Sequence, residues 1–469
     1  MRLTKIVCTI GPSSNTPEKI VELAKNGMNV ARINFSHGSQ ESHGATIRMI
    51  KEARAKNNLP IALLLDTKGA EIRTGEVEQP IVIAKGQEVV FASNDVPTNG
   101  LQLIRVNYPD FAKDVKKAET ILLDNGSMGF DIVEIRDDGG VIGRSNDDGK
   151  IGSRRHINLP GADVSLPSMS EKDWSDLEFG IKEEMDFVAL SFIRNAEEVD
   201  EVKEFLKKHK STIRVITKVE TRQAIADIDR IIDSSDGIMV ARGDLGAEMP
   251  FEKIPAAQDM MVAKCRAKAK PVIVATHMLE SMIVNPMPTR AEVTDIAHAA
   301  TTRADATMLS GETAAGQHPI LSIQAMHRIL QETESHLAQE IIPPVIFPLG
   351  ERGALAEAAF SMAISMNVSA ILVLTRSGST AQAVTALRPQ IPVIALTETA
   401  ETQRALLLCY GVQALVIDTF DKDPEATLER ALDEAKKAGL IESGQKIVAI
   451  SDTKTKKESA RAVHLRTIA

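Results

Sequence analysis

The sequence predicts an α/β protein: a closed (β/α)8 TIM barrel, with an all-β lid domain inserted after the third strand and an open α/β domain at the C-terminus. Three observations predict it. Runs rich in β-branched residues alternate with stretches of helical periodicity, as parallel strands joined by crossover helices require. Between Ala70 and Pro167 that alternation stops, and short strands punctuated by Gly, Asn and Asp replace it. Counting strands around the interruption gives three before it and five after it, the number that closes a barrel; an open doubly wound sheet is the alternative.

In chain order, TKIVCTIG from Thr4 reads as a strand, PEKIVELAKNG as a helix closed by Gly27, MNVARINFS as a strand and QESHGATIRMIKEARAKN as a helix. IALLLDTKG is a third buried strand. The insertion then offers IVIAKGQEVVFAS, LQLIRVNY, TILLDNGSMGFDIVEI and GVIGRSN, with no helix expected among them, and ends near LPGADVSLP. Helix and strand alternate again through EKDWSDLEFGIKEEM, DFVALSF, AEEVDEVKEFLKKH and IRVITKVE. TRQAIADIDRIIDSS spaces its apolar residues as one helix, and GIMVARGDLG is the next strand. KPVIVAT and ADATMLS complete the set, each preceded by a helical stretch. Ile341 to Gly350, with three prolines, reads as a linker. Beyond it AILVLT, IPVIALT, QALVID and KIVAIS are strands of a separate open sheet. The expected boundaries are 1–69 and 168–340 for the barrel, 70–167 for the lid and 351–469 for the last domain.

Composition narrows the function. A formal charge of −9 and a pI near 5.7 argue against nucleic acid or an anionic membrane as partner. Cys8, Cys265 and Cys409 lie far apart without CxxC spacing, which suggests neither a disulfide framework nor a zinc knuckle and fits a reducing compartment. No apolar run approaches the roughly 18 residues of a membrane span, and Gly11-Pro12 arrives too early for a signal-peptide core. A soluble cytoplasmic protein is expected.

In such a barrel the chemistry gathers where the strands end. Those ends supply Arg32, Asn34 and Ser36; Asp66, Thr67 and Lys68; Ser191 and Arg194; Lys218 and Glu220; Arg242 and Asp244; Thr276; and Ser310 and Glu312. Lys218 and Glu220 are two residues apart and share a face if the strand persists. Glu220 and Asp244 suit one hard cation, with Lys218 as a fixed positive charge beside it; a strand-end salt bridge is the bland alternative. Repeated cationic and acidic groups suit a multiply charged anion bound with metal, hence phosphoryl transfer. Ser310 and Glu312 either brace the last strand or support the site.

The strings CTIGPSS, MNVARINFSHG, LLLDTKGAEIRTG, LPGADVSLPSMSEKD, TKVE, SDGIMVARGDLGAEMP, ATHMLESM, PTRAEVTDIA and MLSGETAAGQHP, taken together and in order, resemble the pyruvate kinase family. The resemblance implies transfer of phosphoryl from phosphoenolpyruvate to ADP with Mg2+ and K+. It implies Glu220 and Asp244 as Mg2+ ligands, Lys218 and Arg32 on the moving phosphoryl group, and Gly243 letting backbone amides approach the substrate. Thr276 would belong to the route that protonates the enolate. Asn34, Ser36, Asp66 and Thr67 would supply oxygens to K+, and Glu71 matches the K+-requiring members. Arg73 would face the nucleotide; His37 is read either as a nucleotide contact or as a packed histidine. Thr375, Ser377, Gly378, Ser379 and Thr380 in TRSGSTAQA would hold the phosphate of an allosteric effector. The segment SDTKTKKESARAV lacks the Gly/Pro-rich loop of members regulated by fructose 1,6-bisphosphate. A homotetramer is implied. Ala70, Thr221, His277, Met287 and Ala315 depart from the family pattern. A metal-dependent aldolase or lyase on pyruvate enolates, and a metabolite sensor on the same scaffold, are the competing readings.

Overall fold

The computed structural model describes residues 2–124, 126–162, 164–337, 350–420, 423–454 and 459–469. Eight parallel strands close a barrel: β1 Lys5–Thr9, β2 Val30–Asn34, β3 Ala62–Asp66, β4 Phe187–Leu190, β5 Arg214–Val219, β6 Gly237–Ala241, β7 Val272–Ala275 and β8 Ala306–Leu309. Each pairs with its neighbours in sequence order, and β8 returns to β1 with Lys5 opposite Ala306. The strands are buried on both faces, which is why they read as continuous apolar runs. Outward-facing members such as Ile6, Leu63, Val215 and Val240 pack under the helices, while Val7, Leu64, Ile216 and Met239 fill the interior. Leu407 and Leu408, from beyond the barrel, join that interior cluster and close its floor.

TRQAIADIDRIIDSS differs from the single helix expected. It forms Arg222–Ala226 and Ile228–Ser234, broken at Asp227 (φ −100°, ψ 15°). The Asp227 carboxylate accepts from Ala196 N at 2.9 Å, at the start of helix Ala196–Lys208, and this competing contact accompanies the break.

The insertion forms a seven-stranded sheet, ordered Ile72–Arg73, His156–Asn158, Ile121–Leu123, Met128–Ile135, Val141–Ser145, Glu88–Ala92 and Gln102–Arg105, with a separate pair Ile81–Ile83 and Gly149–Ile151. Its own core holds Phe91, Phe111 and Phe130. A short helix, Phe111–Asp114, with the turn Val115–Lys117, corrects the helix-free expectation; Phe111 and Val115 fill the core from it.

The C-terminal sheet runs Val412–Val416, Val393–Thr397, Ala370–Leu374, Lys446–Lys454 and Ser459–Thr467, the last strand antiparallel. The last apolar strand therefore extends into SDTKTKKESARAV and returns, so this segment is largely paired backbone; 455–458 lie outside the described residues, as do 341–349 of the expected linker. Gly350 opens the helix Gly350–Ser365 rather than ending a linker. Polar contacts that join this unit to the barrel floor include Arg388 to Asp305 (2.6 Å), Arg404 to Asp186 (2.6 Å), Lys5 to the Val412 carbonyl (2.6 Å) and Arg214 to the Ser377 carbonyl (2.8 Å).

Candidate active site

The period of the strands builds the site. Inward positions are apolar through the barrel's middle, and one step further up the same face they turn polar: Val7 to Thr9, Val30 to Arg32, Leu64 to Asp66, Ala189 to Ser191 and Ile216 to Lys218. These groups meet. Arg32 Nε lies 2.6 Å from Asp66 Oδ2 and its Nη1 2.8 Å from Thr9 Oγ1. Lys218 Nζ lies 3.3 Å from Asp66 Oδ1, 2.8 Å from Glu220 Oε1 and 2.7 Å from Ser191 Oγ. Ser191 in turn takes Thr67 Oγ1 on its N–H (3.0 Å) and donates its hydroxyl to the Thr67 carbonyl (2.7 Å).

The electrostatics follow from burial. Burial works against the charge of Asp66, but Arg32 and Lys218 outweigh it and hold the carboxyl below its usual range. Burial also opposes charge on Lys218; Asp66, Glu220 and Asp244 overcome it and push the ammonium pKa up. Glu220 goes the other way. It is fully buried, and burial with help from Asp244 raises its carboxyl to about 7 against the pull of Lys218. Its Oε2 accepts the Phe192 N–H at 2.7 Å, while Oε1 faces the Lys218 ammonium at 2.8 Å. A fully buried carboxylate in the field of a second one, Asp244, fits a hard divalent cation that takes one or two carboxylates. Among the described residues no cluster of three or more His, Cys, Asp or Glu forms a closed metal cage, so water or substrate would complete the shell.

The link into the insertion is tied to this cluster. Asp173, in the capping box of helix Glu171–Lys182, accepts the N–H groups of Lys68 (3.0 Å) and Gly69 (3.2 Å). Gly69 sits at φ +73°, and a Cβ there would lie 2.8 Å from Phe192 Cδ2 and 2.9 Å from Ser191 Cβ, so glycine is needed for both conformation and space. From the insertion, His156 sets its ring 5.6 Å from that of Phe192. Burial holds its imidazole pKa down, against Glu71 and Asp244, which pull it up. Arg194 donates to the Val164 and Leu166 carbonyls, and Gln223 donates to the Ala162 carbonyl at 2.9 Å, bracing the insertion's base. Neither residue type nor spacing marks Phe192, His156 or Gln223 in the sequence.

The remaining expected residues are placed as follows. Asn34 Oδ1 accepts from Ser36 N at 3.1 Å, and Asn34 is in register with Asp66, so Asn34, Ser36, Asp66 and Thr67 stand on adjoining strand ends. Strand β6 stops at Ala241, and Gly243 and Asp244 lie in the short helix Arg242–Glu248. Gly243 N donates to Thr276 Oγ1 (2.8 Å), whose hydroxyl donates to the Ala275 carbonyl (2.6 Å). Arg242, one of the charged groups read at the strand ends, binds Asp295 (2.6 Å) and the Thr276 carbonyl (2.7 Å), fastening β6 to β7. Glu312 braces the top of β8, accepting from Ser310 N (2.7 Å) and Leu279 N (3.0 Å). Arg73 pairs with Glu71 at 2.6 Å, across the register from His156. His37 is exposed, and its carbonyl faces His43 Nε2 at 2.7 Å.

Two family models match the chain, "Pyruvate kinase, barrel domain" over residues 1–323 and "Pyruvate kinase, alpha/beta domain" over 353–462. The chain belongs to the pyruvate kinase family. It is 39% identical to the pyruvate kinase of Clostridium acetobutylicum, covering 97% of each chain. It is 42% identical to plastidial pyruvate kinase 2 of Arabidopsis thaliana, over 96% of this chain and 78% of that one. The crystal structure of a pyruvate kinase from Cryptosporidium parvum superposes with a TM-score of 0.91 at 37% identity, over 99% of this chain and 96% of that one. Pyruvate kinases transfer phosphoryl from phosphoenolpyruvate to ADP in glycolysis, and this chain is a phosphotransferase of that family, dependent on a divalent metal. No helix among the described residues is long and apolar enough to cross a membrane.

The C-terminal loop of this pyruvate kinase borders a cavity of about 190 Å3, lined by Thr375, Arg376, Ser377, Thr380, Phe420 and Arg461 among others. Gly378, at φ +85°, turns the chain into helix Ser379–Ala386, and its N–H donates to Thr375 Oγ1 at 3.0 Å. Ser377 and Ser379 hydroxyls lie 3.0 Å apart, and Arg376 sits 5.0 Å from the Phe420 ring.

Proposed function

We propose that Glu220 and Asp244 ligate Mg2+ and that Lys218 and Arg32 hold the phosphoryl group of phosphoenolpyruvate as it moves to ADP. The observation that supports this most directly is the fully buried Glu220, paired with Lys218 at 2.8 Å and lying in the field of Asp244. When bound, the divalent ion supplies charge neutralisation at the transferring group and the enolate. The chain's own groups do the rest. Lys218 stays protonated because its carboxylate neighbours hold its proton, so it remains a cation throughout transfer. Arg32, fixed by Asp66 and Thr9, presents a second cation without reorganisation. Thr276, with a hydroxyl already ordered by Gly243 and Ala275, lies on the proton route to the enolate carbon. Gly243 gives the substrate room at the helix start.

Asn34, Ser36, Asp66 and Thr67 hold K+ in this reading, and Glu71 marks the K+-requiring type. Arg73 and His37 face the nucleotide. Residues 70–167 close over the mouth and exclude water from the phosphoryl group, hinged at Gly69-Ala70 and near Pro167. Thr375, Ser377, Gly378, Ser379 and Thr380 hold an effector phosphate, a reading supported by the adjoining cavity and by Arg376 and Arg461 on its walls. A cytoplasmic homotetramer is the proposed assembly; the exposed Phe251, Val284 and Met287 offer apolar surface for subunit contact.

The test is pyruvate release from phosphoenolpyruvate and ADP with Mg2+, in Na+-free buffer with and without K+. Release is expected to need both substrates and Mg2+ and to rise with K+. Release without ADP would point to hydrolysis of the phosphate ester, no release at all would move weight to the aldolase or sensor, and a rate indifferent to K+ would overturn the Glu71 reading alone.

A further inference from the structure

Phe192 stands where the barrel, the hinge and the insertion meet. Its N–H donates to Glu220 Oε2 at 2.7 Å, and its carbonyl accepts from Ser168 Oγ at 3.0 Å. Its ring lies against Gly69, where an added Cβ would come within 2.8 Å of Cδ2, and 5.6 Å from the ring of His156. Gly69 and Ser168 flank the two points at which the chain leaves and re-enters the barrel; His156 belongs to the inserted sheet itself. The residue is held at φ +55°, a region that a bulky side chain keeps only when its surroundings dictate it. Those surroundings are the hinge and the insertion. One residue therefore meets the insertion through its ring, the two links through its ring and carbonyl, and a buried carboxylate through its N–H.

We propose that Phe192 is a positioning residue that couples the position of the inserted domain to the site's grip on a divalent cation: its ring reads the insertion through His156 and Gly69, and its N–H aims Glu220. With Oε2 tied down, Oε1 is presented at one fixed angle; if the insertion swings and the ring follows, the N–H turns and the carboxylate loses that angle. Groups that orient metal-binding side chains govern affinity nearly as strongly as the ligands do. The inference rests on Glu220 as a cation ligand.

The experiment uses the full chain without substrate and Mn2+ as the probe, reading free Mn2+ by electron paramagnetic resonance. Phe192→Gly keeps the N–H and suits a positive φ, so it removes the ring without straining the backbone; His156→Ala removes the partner from the insertion's side. Each is expected to weaken Mn2+ binding about tenfold. The double variant is expected to be no weaker than Phe192→Gly, because both changes cut one path. Phe192→Tyr, which keeps the ring, is expected to stay within about twofold of the parent. Glu220→Gln separates the two layers of the argument. If Glu220→Gln loses Mn2+ binding while Phe192→Gly and His156→Ala bind as the parent does, the coupling is wrong and the ligand assignment stands. If Glu220→Gln binds Mn2+ unchanged, the ligand assignment falls and the coupling falls with it. Losses that multiply in the double variant would also overturn the proposal.

Discussion

Replacing Lys218 by methionine removes one of two cations from a cluster of three carboxylates. The side chain is of similar length and unbranched, so packing against Ile216 and its neighbours changes little. What changes is charge. Asp66 keeps Arg32 at 2.6 Å, but Glu220, fully buried, loses its partner at 2.8 Å, and Ser191 Oγ loses a donor at 2.7 Å. Stripping one partner from a buried ion pair costs about 3–5 kcal/mol. The cost falls toward the lower end here, because Glu220 already has a raised pKa and takes up a proton instead of standing as a bare anion. A fold of this size tolerates that loss. Catalysis does not: a cation placed on a transferring phosphoryl group is worth about 10³ to 10⁵ in kcat. The expected outcome is a folded protein with native circular dichroism, a thermal midpoint lowered by several degrees, and pyruvate release reduced at least about a thousandfold, corresponding to about 4 kcal/mol on the barrier. Coupled pyruvate release and thermal unfolding measure the two halves. A folded variant within about tenfold of the parent would refute the role of Lys218 in the transfer step.

Other parts of the structure give sharper tests of particular contacts. Gly69→Ala puts a Cβ 2.8 Å from Phe192 Cδ2 at φ +73°, and should destabilise by about 2–4 kcal/mol in denaturant unfolding; a change under about 0.5 kcal/mol would show the hinge to be looser than drawn. Arg388→Ala strips Asp305 of a partner at 2.6 Å where the arginine is only 1% exposed, and should cost about 3–5 kcal/mol, read from the denaturant midpoint. Glu220, with its folded pKa raised, adds stability that is complete below its unfolded pKa and lost as pH rises through about 7. A cation needs the deprotonated form, so the thermal shift produced by Mg2+ should be larger at about pH 8 than at about pH 6; an equal shift at both would remove Glu220 from the cation's shell.

The barrel was legible because its strands announce themselves twice, as β-branched runs and as runs whose spacing leaves room for a crossover helix. Lys218 and Glu220 were legible as a charged pair at a strand end, although the strand stops at Val219, one residue short of Glu220. Elsewhere the local signal misled. The apolar spacing around Asp227 fits one helix, and only a carboxylate reaching the start of another helix shows the break there. Arg242 ends a strand as the reactive groups do, yet its fork is spent on Asp295 and backbone carbonyls. Phe192 acts through its main chain and an unusual φ, and neither leaves a trace in residue type. His156 belongs to a strand 88 residues upstream of its acidic neighbour Asp244, so nothing short of tertiary structure brings the two together.

Leu407 and Leu408 give the barrel an interior layer that its own eight strands do not provide. Each buried leucine contributes about 1.5–3 kcal/mol, so the glycolytic half of this molecule leans on its companion for a share of stability comparable to a protein's whole margin. The two halves therefore share one inheritance. A change in the C-terminal unit must first leave the floor of the barrel sealed, and a chimera that trades this unit for a relative's must bring matching side chains at these two positions. Drift in this unit is screened by the folding of the enzyme before it is screened by anything the unit does.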